Sequence, residues 1–415
     1  MYLFFLSLLF IKLPPFYLLP FISSSKLFTT HVLAKLILAI ISGYMALKNK
    51  ALISKQIKKN KVVFVLLLFF LTTQSLSIIN TKNIVLFITT YSNIIAFSLI
   101  FTLSFLYTRI SKQFNERMGI FLYSTLTIAV ILELLFLFFF YFSRFPEWLV
   151  QKEVVDAYFT DIYRGRFWFI LNNELFIPFI FISILYSKNN KKINWIILII
   201  LTFLATLSNV RTRFLQTMFA FVSLLLLFMK KQKKLFIKVF LSLIIIVSVS
   251  LYLSTKLNTF NVINRFANTD PNDLSSIIAR NDFAKISLDY IKSSPILGIG
   301  LGNYVNPDIL KRAFAFNEIE SYQKNFSLAV ANSPHNIFFE IVSETGILGL
   351  FSFLCLILYF VLKDLQKIKL KNNPFIIAFI VSSWTVFIYT MFNPYKTIYI
   401  FGWFWFMRGF IEAKQ

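Results

Sequence analysis

Residues 62–107 read VVFVLLLFFLTTQSLSIINTKNIVLFITTYSNIIAFSLIFTLSFLY, and within them only Lys82 carries a charge. Two apolar runs, 62–80 and 84–107, flank a three-residue connection. About 20 apolar residues are what an α-helix needs to cross the hydrocarbon of a bilayer. Runs of similar length recur from end to end. They predict spans at about 2–22, 27–47, 62–80, 84–107, 119–142, 166–186, 193–209, 212–229, 235–254, 336–362, 374–392 and 397–412. The expected fold is all-α: a polytopic helical membrane protein of about 12 transmembrane helices.

Composition agrees with that reading. Apolar residues make up 58% of the 415, phenylalanine alone accounts for 53, and charged residues reach 14%, against about 25% in a soluble globule. The formal charge of +24 would suit nucleic acid, but most lysines fall in short tracts between apolar runs. Such tracts argue for membrane topology and no nucleic-acid partner. The single cysteine, Cys355, excludes an intrachain disulfide and reads as a small apolar residue in a span. The first 22 residues have no basic n-region and no small-residue cleavage site, so they read as a retained span interrupted by Lys12, Pro14, Pro15 and Pro20.

Basic residues in the connections predict orientation. Connections 48–61, 108–118, 187–192, 230–234 and 363–373 carry 20 Lys and Arg in all; 23–26, 81–83, 210–211 and 393–396 carry 4. The bias puts both termini in the cytoplasm and residues 255–335 outside. The chain then divides into spans one to nine (1–254), an extracytoplasmic loop (255–335), and spans ten to twelve with the C-terminus (336–415). In DLSSIIARNDFAKISLDYIKSSP (273–295), Ile277, Ile278, Phe283, Ala284 and Ile291 recur at helical spacing. That pattern suits an amphipathic helix against the outer face of the bundle.

Ionisable residues inside spans face cavities and mark function by default. Glu133, Asn172, Asn173, Glu174, His31, Arg211, Arg213 and His335 all fall in the outer half of the expected bundle, so a cavity open to that side is expected. Snorkelling of Arg213 to headgroups and inter-helix hydrogen bonding by Glu133 and Glu174 are the structural alternatives. In ANSPHNIFFEIVSETGILGL (331–350), Ser333 suits a helix N-cap, Pro334 the first helical position and His335 the first turn. The free N–H groups of that helix start would suit an anion. Its dipole would favour a neutral imidazole able to take a proton. Gly346 and Gly349 would offer a close-packing face.

HNIFFEIVSETGILGL (335–350) resembles the signature of the O-antigen ligase and polymerase superfamily, a His-Asn pair followed by a glutamate and Gly-x-x-Gly. Two further segments agree in order and expected topology. LATLSNVRTRF (204–214) resembles the family's outward-facing Ser/Thr-x-Arg turn, which matches Arg211. ARNDFAKISLDYIKSSPILGIGLGNY (279–304) resembles its external loop of an arginine, an amphipathic helix and Pro-x-x-Gly-x-Gly, which matches Arg280. Val210 and Thr212 flank Arg211 where the family often has small residues, so Arg213 stays open as the alternative counterpart.

The resemblance implies an inverting, lipid-carrier-dependent glycosyltransferase on the outer face of the bacterial inner membrane. It would move a glycan from undecaprenyl diphosphate to a sugar hydroxyl, either on a growing lipid-linked glycan (polymerase, the favoured reading) or on lipid A core (ligase). His335 would be the general base, with Arg211 and Arg280 as catalytic cations on the diphosphate; Arg213, Glu174, Asn173 and Asn336 would bind substrate. No cofactor and no metal are expected. The acidic pair Asp270 and Asp273 reads as a solvated turn, and the glycines at 298, 300 and 302 as a flexible turn. A transporter or flippase is the competing class, and the lack of matched halves with paired broken helices speaks against it.

Overall fold

A computed structural model describes residues 30–111, 116–127, 130–131, 173–186, 191–207, 211–228, 283–305, 334–369, 373–393, 395–396 and 398–414, with scattered positions between 237 and 252. No strand occurs among the described residues. The helices are α1 (Thr30–Lys48), α2 (Lys50–Lys59), α3 (Lys61–Leu76), α4 (Ile84–Ile110), α5 (116–127), α6 (Ile177–Tyr186), α7 (Lys191–Leu207), α8 (Arg211–Phe228), α9 (283–293), α10 (Ile337–Lys369), α11 (Pro374–Thr390) and α12 (Ile398–Ala413).

Local chemistry sets several boundaries. Asn83 caps α4 by accepting from the backbone N–H groups of Val85 and Leu86, both at 3.1 Å. Asn373 caps α11 by accepting from Phe375 N at 2.9 Å, with Pro374 in the first turn, where its missing N–H costs nothing. At 1.5 Å per residue, the 27 residues of α4 extend about 40 Å, more than the hydrocarbon thickness.

Four helices among the described residues are long and apolar enough to cross a membrane: Lys61–Asn80, Ile84–Ile110, Arg211–Phe228 and Ile337–Lys369. They coincide with four of the twelve expected spans. The spans expected at 374–392 and 397–412 form α11 and α12, of 17 and 16 residues. The span expected at 166–186 is described from 173, where a 3-10 turn leads into α6. The first span, most of 119–142 and nearly half of 235–254 lie outside the described residues.

The polarity of α10 is that of a soluble amphipathic helix turned inside out. Ile347, Phe351, Leu354, Leu358, Leu362 and Leu365, spaced three or four apart, are exposed. Gly349, Ser352, Asp364 and Lys367 are buried. In water such an apolar stripe would aggregate; against lipid tails it is satisfied.

Lipid supplies no hydrophobic drive between helices, so packing rests on contact. The aromatic side chains provide it. Trp405 on α12 stacks on Phe97 of α4 at 6.3 Å and meets Phe360 of α10 at 6.5 Å. Gly409 lets α12 approach α4, since a Cβ there would sit 2.3 Å from the Phe101 carbonyl oxygen. One turn on, Ser104 donates to the Phe406 carbonyl at 2.7 Å.

Candidate functional site

The span expected as one uninterrupted helix from 336 to 362 is broken near its start. Gly346 has φ 66° and ψ −171°, a backbone region open essentially to glycine alone. A break inside the membrane frees backbone donors and acceptors that must be satisfied by protein. Residues 295–300 satisfy them. Ile347 N donates to Pro295 O at 2.8 Å and Leu348 N to Ile296 O at 3.4 Å; Ile299 N donates to Ser343 O at 2.9 Å and Gly300 N to Glu344 O at 3.0 Å.

The flexible-turn reading of the glycine-rich segment is therefore corrected: PILGIGLGNY is a packed plug. Gly298, Gly300 and Gly302 all have positive φ, and each meets a different neighbour. A Cβ at Gly298 would lie 2.3 Å from Glu344 C, at Gly300 2.6 Å from Thr81 Cα, and at Gly302 2.6 Å from Leu86 O. Asn80 donates to Gly298 O at 2.8 Å, and Leu301 N to Ser77 Oγ at 3.1 Å. The connection between α3 and α4 is thus tied to the same loop. The close packing expected at Gly346 is found at this break, where a Cβ would come 2.1 Å from Ile296 O. Gly346→Ala should lower the yield of folded protein in detergent gel filtration more than Gly119→Ala, because nothing lies within 4 Å of a Cβ at 119.

α9 is amphipathic as expected but docks into this assembly rather than only covering it. Phe283, Ile286, Ser287 and Tyr290 are buried. Tyr304 donates its hydroxyl to Phe283 O at 3.0 Å, and its ring meets Tyr290 edge-on at 5.4 Å.

The helix start also differs from expectation. Asn336, not Ser333, is the N-cap: its Oδ1 accepts from Phe338 N at 2.9 Å and Phe339 N at 3.2 Å, while Glu340 N closes the first turn on Asn336 O. Pro334 and His335 precede the helix. Two of its three free N–H groups are thereby taken, which weakens the anion-site reading of this helix start. The Asn336 side-chain oxygen serves the helix backbone. His335 has φ 52°, a strained left-handed conformation that histidine tolerates better than most residues, and its ring lies 6.1 Å from that of Phe283.

Glu340 and Glu344 stand one turn apart on α10, an arrangement that repels. Lys396, from the connection between α11 and α12, answers both: its ammonium lies 2.8 Å from Glu340 Oε1 and bonds Glu344 Oε2. Burial pulls the Lys396 pKa down, but the two carboxylates outweigh it and hold it above the ordinary lysine value. Tyr304 N approaches the other Glu344 oxygen at 3.4 Å. Sequence reasoning counted Lys396 only as a topology charge. The missed signal was two glutamates four apart in an apolar run, which require a cation from elsewhere.

A second assembly holds Arg213 and Glu174. Both are buried, and Arg213 Nε donates to Glu174 Oε1 at 2.5 Å. This geometry corrects the snorkelling alternative for Arg213. Arg211, at the start of α8, is half-buried. α11 touches both assemblies: Gln216 Nε2 of α8 donates to Thr385 O at 2.9 Å, and Phe387 packs on Phe338 of α10 at 6.2 Å. Arg280, Asp270, Asp273 and the Asn173 side chain lie outside the described residues, as do His31 beyond its helical backbone, Glu133 and Asn172.

Costly polar groups do not all gather at this end. Asp364, Lys367, Arg408 and Glu412 are buried at the far ends of α10 and α12. Arg408 Nη2 bonds Asp364 Oδ2 at 2.7 Å and Ser383 Oγ at 2.6 Å, and Lys367 lies 3.6 Å from Glu412.

Residues 196–354 match the family model described as O-antigen ligase. That match supports the O-antigen ligase and polymerase superfamily. No curated protein matches the chain. The O-antigen ligase match runs from α7 through α8, α9 and the glycine plug to the middle of α10. It includes Arg211, Arg280 and His335 but ends before Lys396. The family supports a glycosyltransferase-type enzyme in surface polysaccharide assembly, and the apolar helices support a multi-pass membrane protein.

Proposed function

We propose that this protein transfers a glycan from undecaprenyl diphosphate to a sugar hydroxyl on the outer face of the inner membrane, as a polymerase of surface polysaccharide. The observation that carries the reading is His335, held in strained backbone just before the helix that breaks at Gly346, inside the O-antigen ligase match. Backbone strain of this kind concentrates at functional sites.

In the proposed reaction the acceptor hydroxyl gives its proton to His335 as its oxygen attacks the anomeric carbon. The bond from that carbon to the diphosphate oxygen breaks, and undecaprenyl diphosphate leaves with the electron pair. Direct displacement inverts the anomeric centre. A positioned base contributes about 10²–10⁴-fold. Fixed cations in a poorly hydrated site stabilise the leaving diphosphate, and guanidinium groups suit its oxygens bidentately. Arg211 and Arg280 take that role. Arg213, two residues from Arg211 on α8, is held by Glu174, and Asn336 holds the helix start that carries the base.

Deletion of the gene tests the choice of acceptor. Loss of a polymerase leaves single unpolymerised repeats on the cell surface, and re-expression restores long chains. A lipid A core bare of polymer would overturn the polymerase reading in favour of a ligase. Unchanged surface polysaccharide would sink both.

A further inference from the structure

The connection at 48–61 supplies six of the basic residues used above to orient the chain, yet most of it is a helix. α2, KALISKQIKK, follows α1 after a bend of 97° and leads into α3, which is long and apolar enough to span. None of its residues is buried. As a continuation of α1 through the bilayer it would carry four lysines into hydrocarbon, where such charges are costly. Lying across the end of the bundle, it escapes that cost.

The residues of α2 sort by face. At about 100° per residue, Ile53 and Gln56 fall on one side, with Asn49 and Asn60 in register beyond the ends; these four are half-buried against the protein. Leu52 and Ile57 flank that side and are 40% and 36% exposed. Lys50, Lys55, Lys58 and Lys59 fill the remaining arc, all exposed, and the helix has no acidic residue. Lys48 and Lys61 extend the basic run at both ends.

We propose that α2 is an interfacial helix that binds the anionic headgroups of the adjoining leaflet. Leu52 and Ile57 enter the headgroup–acyl boundary while the lysines meet lipid phosphates. Three features select a lipid surface as the occupant. The helix is joined to a membrane-length helix at one end, so the membrane interface is where it must lie. Its apolar residues border the protein-facing side, as expected of a helix lying in the interface plane. Its charge is of one sign, as in juxtamembrane basic segments that attract anionic leaflets. An acidic soluble protein would match the charge but not the two exposed apolar residues at the membrane level.

The test uses full-length protein carrying Leu52→Cys and Cys355→Ser, labelled at residue 52 with a polarity-sensitive fluorophore and reconstituted in nanodiscs. Emission should shift to the blue when phosphatidylglycerol is added to phosphatidylcholine, and high salt should reverse the shift by screening. Adding inorganic phosphate to phosphatidylcholine discs should leave it unchanged. Replacing the four lysines by glutamine should abolish the response, and replacing them by arginine should preserve it. The same emission in both lipids, an equal response to free phosphate, or a full response in the glutamine variant would each overturn the proposal. The comparison of lipids and salt on the lysine-bearing protein decides even where the glutamine variant fails to insert. None of these readouts depends on the transferase activity proposed above.

Discussion

His335→Asn should reduce glycan transfer by about 10²-fold or more while leaving donor binding nearly intact. Asparagine is the informative replacement because, like histidine, it tolerates the left-handed backbone observed here. His335→Ala removes the base as well but adds backbone strain, so agreement between the two variants separates lost chemistry from a distorted helix start. The arginines behave differently. Arg211→Ala and Arg280→Ala should weaken donor binding together with turnover, and lysine at either position should restore only part, since an ammonium lacks the bidentate fork. Arg213→Ala belongs to a third class. It leaves Glu174 buried without its cation and lowers the amount of folded protein before any assay of turnover. Single-turnover kinetics on a lipid-diphosphate donor, with expression measured alongside, checks all of these. An active His335→Asn protein would return this histidine to the role of a helix-start anchor.

The second large effect is on stability, far from the proposed chemistry. Arg408 is fully buried, and its guanidinium lies 4.7 Å from the Trp384 ring and 5.1 Å from Phe360. Its partner Asp364 also accepts from Trp384 Nε1 at 2.7 Å. Removing one member of a buried pair strands the other and costs about 3–5 kcal/mol. Arg408→Met and Asp364→Leu should each lower the thermal midpoint in detergent sharply, whereas the double variant should recover most of the loss. A single variant that melts like the parent would show the pair to be energetically silent. A double variant no better than either single would deny the coupling between them.

How far the sequence reaches can be judged residue by residue. Apolar run length located α3, α4, α8 and α10, because bilayer thickness imposes a length that any chain must meet. The amphipathic helix at 283–293 was also legible, since periodicity is a short-range signature. Where those signatures depended on a distant partner, the reading failed. Gly298, Gly300 and Gly302 look like a loose turn in isolation, and only their contacts with Glu344, Thr81 and Leu86 show why side chains are excluded. The cap was read one turn early, at Ser333, because Ser333 and Asn336 are both good capping residues and only the fold shows which backbone N–H groups are bonded.

By itself, then, the sequence determined the membrane class, four helices long and apolar enough to span and the segment that carries His335, all consequences of local composition and periodicity. Only the tertiary structure decided that α10 breaks at Gly346, that residues 295–300 complete its backbone hydrogen bonds, and that Lys396 joins Glu340 to Glu344. It also decided that Asp364 meets Arg408 at the opposite end. The physical reason is common to these cases. In a low-dielectric interior every backbone amide and every charge must find a partner, but that rule requires only that a partner exist. Which residue supplies it, 44 positions away for Asp364 and Arg408 or 52 for Glu344 and Lys396, is set by how the helices pack.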